Sequence, residues 1–181
     1  MKTFNIIVAI DQKNGIGKEG SLPWALPSDM KHFKAVTLEA RPSGKVNAVV
    51  MGRKTWESIP EKWRPLAGRL NVVLTKDDRY VLPENVLKFQ SFEEALAFLN
   101  TEYQERVNDI FVIGGASLYA QAISHPLCQK IYLTVIDGNF GCDVFFPEFK
   151  KSFKQAERSK EYLENGLKYS FSVYARSANN A

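Results

Sequence analysis

The chain has 181 residues, 45% of them hydrophobic, and carries a formal charge of +4 from 24 Lys and Arg against 20 Asp and Glu. That length supports one domain over residues 1–181, burying roughly 70% of the surface its unfolded chain would expose, and argues against a second. The basic residues are scattered along the chain, so nucleic-acid binding is not expected in spite of an isoelectric point near 9.0.

The two cysteines, Cys128 and Cys142, form no CxxC pair and have no histidine at ligand spacing. A reducing compartment and no structural metal are expected. The opening run "FNIIVAI" lacks a small-residue cleavage site and stops at Asp11, so it reads as a buried strand with no signal peptide. No apolar stretch is long enough to cross a bilayer, and no membrane partner is expected.

After that first strand comes a helix predicted over 27–38, with apolar residues at Leu26, Met30, Phe33 and Val36. The strand "VNAVVM" follows, then a helix over 53–59, the strands "LNVVLT" and "NVLKF", and a helical run "SFEEALAFLNTEYQER" opened by a Ser91/Glu94 capping box. The strand "DIFVIG" leads into a helix over 116–123, and "KIYLTVID" is the next strand. Several strands are apolar almost throughout, as strands covered on both faces are. The Asn165-Gly166 turn and the alternation of Tyr169, Phe171, Val173 and Ala175 predict a closing antiparallel hairpin. The fold class is therefore α/β, with a mixed, mostly parallel sheet and an antiparallel edge strand.

Ligands of such sheets collect beyond the carboxyl ends of the strands. Two junctions fit. In "AVVMGRKTWESI" a strand ends at Gly52, and Arg53, Lys54 and Thr55 open a helix. In "FVIGGASLY" the pair Gly114-Gly115 would let backbone approach a ligand. Neither matches GxGxxG, which disfavours an ordinary Rossmann domain. Thr75 and Lys76 add a hydroxyl and a cation at the same edge, and together these suggest a phosphate-bearing cofactor. Taken singly, each junction reads first as a turn that needs glycine.

Asp29 lies one turn before Phe33 on the same face. It reads either as a first-turn acid stabilising the helix dipole or as a carboxylate facing the cleft. Burial would raise its pKa unless a donor, such as a ligand with paired N–H groups, held the anion.

In order along the chain, "GIGKEGSLPW", "LPSDMKHF", "VMGRKTWESI", "RPLAGRLNVVLT", "VIGGASLY", "IYLTVID" and "DVFFP" resemble the dihydrofolate reductase family. The match runs from about residue 4 to residue 175. The resemblance implies a mostly parallel eight-stranded sheet flanked by about four helices. It also implies NADPH-dependent reduction of dihydrofolate, with hydride reaching C6 and a proton reaching N5. Asp29 would be the active-site acid on the pterin, with Thr134 bonding the same region and Trp24 and the mobile-loop Leu22 completing the catalytic group. Val8, Ala9, Met30, Phe33, Ser58, Ile59, Leu66, Ile113 and Tyr119 would surround the substrate, and Arg69 would hold its glutamate carboxylate. NADPH would lie on Ala9, Ile16, Gly17, Gly20, Ser21, Leu22, Gly52, Arg53, Lys54 and Thr55. Its contacts would continue through Leu74, Thr75, Lys76, Ile113, Gly114, Gly115, Ala116, Ser117, Leu118 and Tyr119. The family has a cis peptide between two such glycines.

Some positions depart from the bacterial pattern. Ser117 stands where well-known bacterial members have an arginine, and "PEKWR" and "EARPSGKVN" are longer than in compact bacterial enzymes. Vertebrate members carry glutamate where this chain has Asp29. The combination is similar to plant or protist reductases, many fused to thymidylate synthase. A monomer is expected for the isolated domain, in the cytoplasm. Trp56 reads as core, Trp63 as partly exposed, His32 as solvent-exposed and His125 as loop. Asp143 resembles a loop acid that orders the segment around Leu22. The alternatives are the related NADPH-dependent reductase of riboflavin biosynthesis and a cofactor-binding module without activity.

Overall fold

The computed structural model describes residues 1–39 and 44–178. Part of "EARPSGKVN" and the end of the tail lie outside these residues. Strand β1 (Phe4–Ile10) is followed by β2 (Gly15–Gly17), α1 (Pro27–Leu38), β3 (Val46–Gly52) and α2 (Arg53–Ser58). After a short 3-10 turn (Glu61–Trp63) come β4 (Arg69–Leu74), β5 (Val86–Phe89), α3 (Phe92–Asn100), β6 (Val107–Gly114) and α4 (Ala116–Ser124). The chain ends in β7 (Cys128–Ile136), β8 (Val144–Phe145), β9 (Phe153–Arg158), β10 (Tyr162–Glu164) and β11 (Leu167–Arg176).

Among the described residues the main sheet runs β10-β11-β7-β1-β6-β3-β4-β5, with β9 also paired to β11. Strands β1, β3, β4, β5, β6 and β7 are mutually parallel, so their carboxyl ends share one edge, while β11 is antiparallel to β7. Side chains alternate across each strand. Ile6, Val8, Ile10, Val112 and Leu133 meet α3 and α4 on one face. Ile7, Val49, Met51, Val73 and Phe111 form the other, and Phe33, Val36, Ile59 and Leu66 cover it only in part. That incomplete cover is the cleft.

The predicted helix 27–38 matches α1, and the hairpin at Asn165-Gly166 forms as expected. The hairpin's long strand is not an edge strand. Strand β11 lies between β7 on one side and β9 and β10 on the other, and Ser170 and Ser172 are buried beside Tyr169 because both faces are covered. The helix opened by Ser91 stops at Asn100, short of the run expected from the sequence. There the Asn100 amide donates to the Leu96 carbonyl at 2.8 Å and accepts from the Lys2 amide. The small sheet of β2 and β8 had no signal in the sequence.

Candidate active site

Asp29 is 5% exposed. Its Oδ1 accepts a 2.6 Å hydrogen bond from the Thr134 hydroxyl. Thr134 pairs in register with Ala9 of β1, so the acid sits over adjacent strands on the cleft face. Desolvation pushes the Asp29 carboxyl above its ordinary value, and the Thr134 bond opposes the shift without cancelling it. A buried carboxylate with one such donor has acceptor capacity left over.

The stripe of α1 differs from its apolar reading. Met30 is 48% exposed, and the helix's buried residues are polar, Asp29 and Thr37. These two and Phe33 form an i, i+4, i+8 row, so Thr37 was findable from the phase that singled out Asp29. The Thr37 hydroxyl donates to Phe33 O at 2.7 Å and accepts from Arg69 Nη1 at 2.8 Å. Arg69 also donates to the Ala67 carbonyl at 3.1 Å and stands 5.8 Å over the Phe33 ring. Its guanidinium is thus held at the far end of the row, with burial drawing its pKa down from the usual value.

A cavity of about 270 Å³ at the other end is lined by Leu22, Trp24, Ala25, Leu26, Pro27, Asp29 and Met30. Trp24 is buried against Phe140, and its Nε1 has no hydrogen-bond partner among the described residues. Leu22 is 48% exposed. Gly20 and Ser21 are also exposed, and Ile16 packs on the main core. Asp143 Oδ2 accepts from the Glu19 amide at 2.9 Å, and the Asp143 amide donates to Gly17 O. The loop acid therefore contacts this segment as the resemblance implied. Asp11, missed in the sequence, pins the segment's start. Burial raises its pKa, but amide donors at Gly15, Phe140 and Lys13, with the Cys142 thiol, outweigh that and bring it below the ordinary value.

The two glycine junctions converge. Met51 pairs with Gly114 across β3 and β6, and Gly52 with Leu74 across β3 and β4. The Gly114-Gly115 peptide is cis. A Cβ on Gly114 would come within 3.2 Å of Thr55 Oγ1 and 3.4 Å of the Tyr119 hydroxyl, and one on Gly115 within 3.3 Å of Thr55 Oγ1. Side chains there would fill the space that lets backbone face a ligand. Beyond them, Arg53 lies 3.6 Å from both Glu57 and Asp77 and 5.5 Å over Tyr80. Thr75 Oγ1 accepts from the Asp77 amide, and Lys54, Lys76 and Ser117 are exposed.

Several expected residues point elsewhere. Val8 and Leu118 pack into the core on the reverse face, so strand alternation and helix phase remove their side chains from the cleft. Leu74 also packs against that core, and Ala116 is half-buried at the start of α4. The Ser58 hydroxyl is spent on Thr55 O at 2.7 Å. Tyr119 is buried and donates to Ile7 O at 2.9 Å, while Ile113 lies on the cleft face. His32, expected in solvent, stacks on Phe171 at 3.9 Å, and burial lowers its pKa. Trp56 is core and Trp63 is 62% exposed. His125 ends α4, where its Nδ1 accepts from the Leu127 amide. Among the described residues no group of His, Cys, Asp or Glu could hold a metal ion. No helix there is long and apolar enough to cross a membrane.

Residues 3–176 match the family model described as "Dihydrofolate reductase". The chain is 45% identical to the bifunctional dihydrofolate reductase-thymidylate synthase 1 of Arabidopsis thaliana, over 99% of this chain and 36% of that protein. It thus spans about a third of the length of the plant relatives it matches, between 32% and 36% of the first three. It is 41% identical to the dihydrofolate reductase of Heliothis virescens, over 95% of this chain and 96% of that one. The solved structure of Schistosoma mansoni dihydrofolate reductase superposes with a TM-score of 0.86 at 38% identity, covering 97% of this chain and 99% of that chain. These matches give the riboflavin-pathway alternative no support. On the matched residues, the near-complete coverage and the shared fold, the chain belongs to the dihydrofolate reductase family.

Proposed function

We propose that this chain reduces dihydrofolate to tetrahydrofolate with NADPH, in the cleft between α1 and the carboxyl edge of β1, β6 and β7. The observation that carries the reading is the withdrawn Asp29 carboxylate, which has one protein donor among the described residues and lines an open cavity. A pterin offers a ring N–H and an amino group side by side, and a carboxylate accepts both as charge-assisted bonds. These donors would offset the desolvation that raises the pKa of Asp29.

In this reading Ala9, Phe33, Ile59, Leu66 and Ile113 wall the ring system, and Val8 contributes backbone alone. Arg69, already steadied by Thr37 and Ala67, takes the substrate's glutamate carboxylate bidentately. Asp29 orients the ring and favours the form protonated at N5, with water delivering the proton. The unpartnered indole N–H of Trp24 is suited to hold that water.

The residues fit a dinucleotide phosphate cofactor, because the bare backbone at Gly114 and Gly115 opens beside Thr55 and Gly52. Bound NADPH supplies the hydride. Thr55, Arg53, Thr75 and Lys76 would grip its phosphates, with Arg53 exchanging the carboxylates of Glu57 and Asp77 for phosphate oxygens. Ile16, Gly17, Gly20, Ser21 and Leu22 would close over the site from the loop.

A cytoplasmic monomer is the accompanying reading. A covalent thymidylate synthase partner, as the names of the plant relatives describe, is its extension. The test is NADPH oxidation with dihydrofolate, with and without methotrexate, for the wild type and Asp29→Asn. Dihydrofolate-dependent oxidation that methotrexate abolishes supports the proposal. No oxidation by folded wild type, or full turnover by the variant, overturns it.

A further inference from the structure

Helix α1 starts without a local cap. Its N-cap residue, Leu26, has an aliphatic side chain and makes no capping bond, and Pro27 has no N–H to satisfy. The first orphan donor is therefore the Ser28 amide. It donates to Glu164 Oε2 at 3.0 Å, and the Ser28 hydroxyl donates to Glu164 Oε1 at 2.9 Å. One carboxylate takes both bonds from a position 136 residues away in sequence. The next residue of the turn, Asn165, donates its side-chain amide to Ala25 O at 3.2 Å. The hairpin tip thus grasps the chain on both sides of Leu26 and Pro27, directly before Asp29.

The hairpin is also tied to the sheet that carries the partner of Asp29. Strand β10 pairs with β11, and β11 pairs with β7 so that Phe171 lies opposite Thr134. Asp29 is located by two links to one rigid frame: its own bond to Thr134, and the Glu164 bonds to the residue before it. An anion at this end of the helix also suits the macrodipole. We infer that Glu164 is a positioning residue for dihydrofolate reduction, fixing the first turn of α1 so that Asp29 meets the substrate in register. This rests on the proposed function.

The hydrogen-bond geometry, more than the charge, carries the effect. Glutamine at 164 can still accept from the Ser28 amide and donate to the Ser28 hydroxyl, whereas alanine can do neither. Glu164→Ala is expected to raise KM for dihydrofolate about tenfold, the order expected when bonds to a charged acceptor are lost. KM for NADPH should stay within about twofold, because the phosphate-facing residues sit on α2 and just after β4, away from the hairpin. Glu164→Gln should recover most of the loss. Ser28→Ala keeps the backbone bond and should show a smaller rise in the same direction; it also serves if the alanine variant at 164 does not fold.

The inference is overturned if Glu164→Ala, or Ser28→Ala in its place, leaves KM for dihydrofolate unchanged, or raises both Michaelis constants alike. It is also overturned if Glu164→Gln behaves like alanine. Wild type without dihydrofolate-dependent turnover would instead refute the proposed function, which separates the two failures.

Discussion

Replacing Asp29 by asparagine should remove most of the activity and add stability. The side chain is 5% exposed, and burial raises its pKa above the ordinary aspartate value of 3.8. The folded protein therefore holds this proton more tightly than the unfolded chain does. Stability from this group is greatest below the unfolded value, falls as pH rises toward the raised folded value, and stays reduced above it. Asparagine keeps the shape and an acceptor for Thr134 but has no charge to desolvate. Its melting temperature should exceed that of wild type at pH 7 to 8, and the two should converge below about pH 4. For activity, asparagine offers a single acceptor oxygen, so of two charge-assisted bonds of about 1.5–3 kcal/mol each, one becomes a neutral bond nearer 1 kcal/mol and the other is lost against the amide's own N–H groups. A net loss of about 2–5 kcal/mol corresponds to a fall of roughly 30- to 5,000-fold in kcat/KM. Thermal melts across that pH range and steady-state NADPH oxidation are the two assays. An asparagine variant that melts lower than wild type at pH 7.5 and turns over normally would refute the reasoning.

Arg69→Lys should raise KM for dihydrofolate by about tenfold while leaving binding of a pterin without the glutamate tail unchanged, since lysine loses the bidentate geometry; titration with both ligands checks this. Gly114→Ala places a Cβ against Thr55 and Tyr119 at a φ of +129°, and should cost about 1–3 kcal/mol and weaken NADPH binding. Denaturant unfolding and fluorescence titration with NADPH measure both effects. Trp24→Phe keeps the aromatic contact with Phe140 but deletes the unpartnered N–H. It should fold normally and lower kcat about tenfold, as loss of one hydrogen bond used in turnover would, with the variant's kcat as the readout.

What the sequence revealed was local. The α1 boundaries followed from Pro27 and the apolar period, and the odd acid at position 29 was visible as a break in that period. The hairpin followed from Asn165-Gly166, whose two residues have φ of 53° and 76°. The capping box was half right: Ser91 accepts from the Glu94 amide, but the Glu94 carboxylate bonds Gln90 N, outside the helix. What stayed hidden was non-local. Nothing near Ser28 announces Glu164, and nothing near His32 announces Phe171, because helix α1 and the hairpin that meets it are separated by most of the chain. Val8 shows a different limit. The resemblance placed it on the right strand, but the pleat decides which face a side chain takes, and here that face is the core.

The row from Asp29 to Thr37 gives α1 a further property. Eight helical steps separate the two, about 12 Å along the axis. Thr37 in turn moors the guanidinium of Arg69. In the proposed reading the helix then acts as a gauge whose graduations are peptide units, measuring head against tail of the substrate alongside it. Inserting one residue between positions 30 and 36 would swing the lower anchor by about 100° and uncouple the two ends, so molecules of the correct length would lose the advantage they hold over shorter ones.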